Sequence, residues 1–119
     1  MRCYGKFLHK LHGFHHDYLG AIKRNGIVKL TDITQHAHGF YEAKIWYKGK
    51  SKFSGFFPDA WNRERVMQAI TEALQDNNPL LWSNKHHAWQ KIGTTSEGVK
   101  VLVSIDNSGL VKTAYPIFR

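Results

Sequence analysis

The 119 residues suit one domain, and with 42% hydrophobic and 13% aromatic residues the chain is too apolar to stay disordered. No stretch approaches a membrane-spanning run, the opening MRCYGKFLHK is too polar for a signal peptide, and the lone Cys3 excludes an internal disulfide or a cysteine-built zinc site. Seventeen Lys and Arg against nine Asp and Glu leave a net charge of +8, which attracts polyanions and nucleic acid above all.

Residues 1–20 mix aromatic, basic and histidine side chains at roughly helical spacing, with Phe7, Leu8 and Leu11 able to cover a core. Gly13 and Gly20 punctuate them, so the segment reads as a short helix or turn followed by a loop or a second short helix. Residues 21–39 read as an irregular excursion with a short strand at Gly26–Leu30. Phe40 to Tyr47 is rich in aromatic and β-branched residues, Lys48-Gly49 makes a turn, and Lys50 to Phe57 returns, which is a β-hairpin pattern. Asn62 is placed to cap a helix running to about Gln75, with Val66, Ile70, Ala73 and Leu74 on one face. Asp76-Asn77-Asn78-Pro79 stops it. In residues 80–97, Trp82 and Trp89 are assigned to the core and His86-His87 to a surface loop. Val99, Val101, Val103 and Ile105 then alternate with Lys100, Leu102 and Ser104, a turn follows at Asp106-Asn107-Ser108-Gly109, and Leu110 to Phe118 returns as a second hairpin. The order helix or loop, hairpin, helix, hairpin predicts an α+β fold. The basic residues are dispersed along it, so the charge is expected on a face or in a cleft.

Four of the eight histidines fall between residues 9 and 16. His9, His12 and His16 stand at i, i+3 and i+7, one face of a helix, but Gly13 interrupts it and no HExxH pattern accompanies them, so a dedicated metal site is disfavoured. Solvated histidines without a role are a second reading. The third is acid–base chemistry, because a histidine titrates near neutral pH and can take a proton from one oxygen and give one to another. In a basic protein this suggests cleavage of RNA, where the 2′-OH of the substrate is the nucleophile. Such an enzyme needs a base, an acid and a cation for the crowded phosphate charge.

Taken in order, GFHHDYLG, KSKFSGFFPDAW and VKTAYPIF resemble the EndoU endoribonucleases, and most of all the bacterial EndoU domains of polymorphic and contact-dependent toxins. Animal EndoU enzymes and the coronaviral uridylate-specific endoribonuclease belong to the same family. The resemblance covers nearly the whole chain. It implies a single domain over residues 1–119, two small antiparallel sheets with flanking helices, and cleavage 3′ of pyrimidines, usually uridine, to 2′,3′-cyclic phosphate and 5′-hydroxyl ends.

Gly13-Phe14-His15 matches the family's G-x-H element, which makes His15 the expected catalytic histidine with His16 beside it as a substrate contact. The family's catalytic lysine follows a hairpin turn, ahead of a serine on the same strand. That points to Lys50 as the phosphate-facing cation, Lys52 as its rival and Ser54 as a hydroxyl contacting the base. Positions 50, 52 and 54 share one strand face, so direction alone does not separate the lysines. Thr113 and Tyr115 also share a face, and the family's counterparts line the active site, the tyrosine stacking on the pyrimidine and the threonine or its neighbour contacting it. One position departs from the family. Its second catalytic histidine opens an H-x-x-x-G element, and in the frame Met1 to Gly5 that slot holds Met1. His9 repeats the H-x-x-x-G spacing and is the first substitute, with His12 second. His36 and His38 are poorer substitutes, since about 25 Å of strand separates them from Lys50.

The resemblance therefore implies single-stranded RNA, tRNA among the candidates, as the partner of a monomeric protein. No metal cofactor is required, with Mn2+ as a candidate activator. It also implies a cytoplasmic site of action or delivery as a toxin into a target cell's cytoplasm, with an immunity protein as a further partner and no membrane. The alternative is a catalytically impaired EndoU-like domain that only binds RNA.

Overall fold

The two-residue turn Lys48-Gly49 sets the register of the first sheet. The computed structural model describes residues 28–118. Both turn residues take positive φ, 50° and 77°. That geometry matches the right-handed twist of the strands it joins. Strand β2 (Tyr41–Tyr47) therefore pairs antiparallel with β3 (Lys50–Phe56) without slippage, from Tyr47 opposite Lys50 to Tyr41 opposite Phe56. On the other side of β2 lies β1 (Lys29–Gln35), and the three form a sheet in the order β1-β2-β3. An extra residue on β1 between Thr31 and Thr34 makes a bulge, and Asp32 takes φ 53° there. The expectation of an irregular excursion over residues 21–39 is thus corrected from Lys29 onward. The alternation that should mark the strand is broken by the bulge and by its largely exposed side chains.

The second sheet holds β4 (Leu81–Ser83), β5 (Ala88–Thr94), β6 (Lys100–Ile105) and β7 (Val111–Ile117), paired antiparallel in that order. Helix α1 (Arg63–Leu74) lies on one face of it. Asn62 caps the helix as expected, its side chain accepting a 2.9 Å hydrogen bond from the Arg65 amide. At the other end Lys91 is buried and donates to the carbonyls of Leu74 (2.6 Å) and Asp76, so a cation sits on the helix's negative pole. Gly93 permits this approach, because a Cβ there would stand 2.0 Å from the Ala73 carbonyl oxygen. Val66, Ala69, Ile70 and Ala73 pack on Val101, Val103 and Ala114 with Phe40 and Phe57, which makes the main core. A second cluster, Val28, Tyr41, Ala43, Ile45 and Phe56, belongs to the first sheet.

The two hairpins and the helix agree with the sequence patterns. The assignment of Trp82 and Trp89 to the core does not. They face each other across β4 and β5, edge to face at 5.4 Å, with 40% and 41% of their surface exposed. A cross-strand aromatic pair meets its packing needs without a core. His86-His87 lies in the β4–β5 turn, as expected of a surface loop. The helical or loop reading of residues 1–20, and all but the end of the strand expected at Gly26–Leu30, lie outside the described residues.

Candidate active site

The site is built where the two sheets meet edge to edge. Strand β3 ends the first sheet and β7 ends the second. Gly55 lets them touch, since a Cβ on it would lie 2.0 Å from the Pro116 carbonyl oxygen. Pro116 has no N–H to offer a further strand, which suits an edge. Side chains of β3 and β7 thereby reach a common cleft of about 320 Å³.

Lys52, Thr113 and Tyr115 all line this cleft. Lys50 does not; it is exposed at the hairpin turn, opposite Tyr47. The two lysines, which share a strand face, differ in position along it, Lys52 standing two residues nearer the junction of the sheets. Lys52 stands opposite buried Ile45. Loss of hydration there lowers its pKa, and the nearby ammonium of Lys85 lowers it further. Burial pushes the Tyr115 phenol up, so it stays a neutral hydroxyl at physiological pH.

The floor is a polar row across three strands. Gln90 pairs with Ser104 and Ser104 with Thr113, and the Gln90 amide donates to the Ser104 hydroxyl at 3.1 Å. Ser104 is almost fully buried. A β-bulge completes the rim: Ser104 to Ile105 advances one residue while Thr113 to Val111 advances two, so Lys112 is the extra residue. Bulges re-aim side chains, which is how the consecutive residues Lys112 and Thr113 both line one cleft. The β4–β5 turn closes the rim with Lys85, His86 and His87, and Lys112 donates to the His86 carbonyl at 3.3 Å. None of the described lining residues is acidic.

Sequence reasoning did not assign Gln90, Ser104, Lys112 or the Lys85-His86-His87 turn to the site. The signal for the turn was present as three basic or titratable residues in a row beside a Trp pair, but nothing in the sequence tells which way a turn leans.

Tyr115 also borders a second hollow of about 240 Å³, lined by Ser54, Phe53, Phe118, Glu42 and the Gly55–Pro116 contact. Ser54 therefore shares Tyr115 with the cleft but lies on its other side. Its hydroxyl donates to the Gly55 carbonyl at 3.1 Å. His36 is held nearby by Glu42 (3.0 Å) and stacks on Phe118 at 3.9 Å, 5° from parallel. Neither His36 nor His38 lines the lysine cleft. His9, His12, His15 and His16 lie outside the described residues. Among the described residues no group of three His, Cys, Asp or Glu is arranged to hold a metal ion. No helix among them is long and apolar enough to cross a membrane.

A sheet junction thus brings a lysine, a threonine and a tyrosine to one cleft whose described lining residues are basic or neutral, a surrounding that suits an anion. The chain matches the bacterial EndoU nuclease family over residues 3–118, and it belongs to that family. It is also similar to a protein named "Toxin" from Bacillus cereus (strain ATCC 14579), 28% identical over 95 residues, which are 76% of this chain. The match spans 16% of that relative's length. No solved structure matches the chain.

Proposed function

We propose that the protein is an endoribonuclease that cuts single-stranded RNA 3′ of uridine or another pyrimidine. The observation that carries this reading is the convergence of Lys52, Thr113 and Tyr115 on one basic cleft in a bacterial EndoU nuclease family member. The 2′-oxygen attacks the adjacent phosphorus, the bond from phosphorus to the 5′-oxygen breaks, and a 2′,3′-cyclic phosphate and a 5′-hydroxyl result. His15 and His9 share the proton transfers, one taking the 2′-OH proton and the other protonating the leaving 5′-oxygen. His16 contacts the substrate beside them.

Lys52, not Lys50, stabilises the charge that builds on the phosphate, and it does so in a partly desolvated cleft where a cation acts more strongly than in water. Thr113 hydrogen-bonds a phosphate or sugar oxygen. Tyr115 separates the two hollows and offers its ring to the base, which enters the smaller one toward Ser54. The likeness to the Bacillus cereus toxin supports a second layer to this reading. The domain acts as toxin cargo in the cytoplasm of a target cell, is restrained by an immunity protein, and takes cellular RNA such as tRNA as its substrate.

The test is cleavage of a short RNA with one uridine, in EDTA and then in Mn2+, with end-group analysis. Cyclic-phosphate ends formed in EDTA support the mechanism and give Mn2+ at most an activating role; binding without cleavage in either condition overturns it. The His15→Ala variant should keep the fold and lose cleavage.

A further inference from the structure

Beside Lys52, the described lining of the cleft holds two further lysines. Lys85 lies in the β4–β5 turn, and Lys112 is the extra residue of the β7 bulge. They come from strand pairs at opposite edges of the second sheet. The hydrogen bond from the Lys112 ammonium to the His86 carbonyl ties the bulge to the turn. This tie holds Lys112 beside the Lys85 turn rather than out in solvent. Neither lysine makes a salt bridge with a carboxylate of the described residues. No acidic side chain among the described residues lines the cleft to offset the three ammonium groups. Lys85 is close enough to disfavour the charge on Lys52. Ammonium groups gathered in one cleft repel one another, and a bound anion relieves that repulsion.

We propose that Lys85 and Lys112 form a second anion subsite, which takes the phosphate neighbouring the scissile one in a single-stranded RNA. This subsite rests on the reading of Lys52 as the scissile-phosphate cation. One phosphate seated at Lys52 sends the chain across the floor row toward the turn. The cleft volume of about 320 Å³ is larger than one phosphate group needs. The subsite therefore favours substrates longer than the dinucleotide that carries the cut.

The probe is an uncleavable tetranucleotide, A-dU-A-A, whose 2′-deoxyuridine removes the nucleophile. Its two linkages flanking the dU–A bond are replaced in turn by neutral methylphosphonate, and affinity is measured by calorimetry at low salt. In the wild-type protein one of the two replacements should weaken binding about tenfold. In the Lys85→Ala/Lys112→Ala variant the same replacement should cost less than about twofold, while Lys85→Arg/Lys112→Arg should keep the full penalty. The salt dependence of the unmodified probe should flatten by about 0.7 in log–log slope for each lysine removed. A double alanine variant that feels both replacements as strongly as wild type overturns the subsite, as does a wild type that feels neither. Cleavage of uridine RNA by wild type without this penalty overturns the subsite alone. A penalty kept by a protein that cleaves nothing supports the subsite and overturns the cleavage chemistry.

Discussion

Two hollows share Tyr115, and different side chains line them. The larger is ringed by Lys52, Lys85, Lys112 and the His86-His87 turn over a floor of hydroxyl and amide groups. The smaller is walled by Phe53 and Phe118, with a single serine hydroxyl and a carboxylate that is already engaged by His36. A nucleotide is divided in the same way, a phosphate that wants cations and a base that wants aromatic faces and a few hydrogen bonds. The comparison teaches that one tyrosine on an edge strand can partition a substrate, provided the edge it faces is pinned. The pin is Gly55 against Pro116, so the experiment that bears on both hollows at once is Gly55→Ala. Its methyl group would stand 2.0 Å from the Pro116 carbonyl oxygen, so the two strands would have to move apart. A backbone cannot yield as a side chain does, so the expected loss is about 3 kcal/mol or more, read as a lowered urea midpoint. Binding of an RNA probe should fall with it. Full stability in this variant would mean that the sheets are not joined there.

Breaking only the charged hollow comes next in size. Lys52→Ala should lower kcat for uridine RNA by about 10²–10³-fold, the cost of removing a group that stabilises developing charge. Lys50→Ala should cost far less, since its side chain stands at the turn outside the cleft. Equal losses from the two would remove the distinction between them.

That distinction marks the limit of what the sequence carries. Alternation placed Lys50, Lys52 and Ser54 on one strand face and Thr113 and Tyr115 on another, and the hairpins, the Asn62 cap and the helix face follow directly from local pattern. Period-2 and period-3.6 signals are local, and they are strong where one face is buried. The joint of the sheets is not local. It depends on a missing Cβ at Gly55 and a missing N–H at Pro116, sixty-one positions apart, and nothing in either neighbourhood refers to the other. The bulge at Lys112 is invisible for the same reason, because it exists only relative to β6. Trp82 and Trp89 misled because size and apolarity signal burial on average, whereas two of them facing across a short hairpin satisfy each other at the surface.

A smaller effect sharpens the charged side further. Burial and Lys85 both depress the Lys52 pKa, so its ammonium is lost at lower pH than that of an ordinary lysine. Activity that needs this charge is complete below the depressed pKa and declines as pH rises through it. Lys85→Ala removes one of the two causes, so the alkaline limb of kcat should move to higher pH in that variant. Stability has the opposite sign. Between the depressed native pKa and the ordinary unfolded one, the unfolded chain binds more protons, so wild-type stability should rise with pH in that window. An alkaline limb that stays in place in Lys85→Ala, with the fold intact, would separate the limb from Lys52.

The smallest expected effect calibrates the rest, because it touches neither hollow. Asn62 accepts from the Arg65 amide at the start of α1, and the helix packs on the sheet face away from the polar floor. Asn62→Ala leaves that amide without its side-chain partner, at a cost of about 1 kcal/mol. For a chain of this length the melting temperature should drop by about 4–8 °C. The described linings of the hollows draw on β2, β3, β5, β6, β7 and the β4–β5 turn and not on α1, so well below the melting temperature kcat, KM and the alkaline limb should be those of wild type. If they shift together with Tm, the helix and the cleft are mechanically coupled through β5 and β6. The losses in the other variants would then have to be corrected for stability before being assigned to charge or to base. If only Tm shifts, the cleft reports on its own residues, and the contrast between its two sides can be read directly from their substitutions.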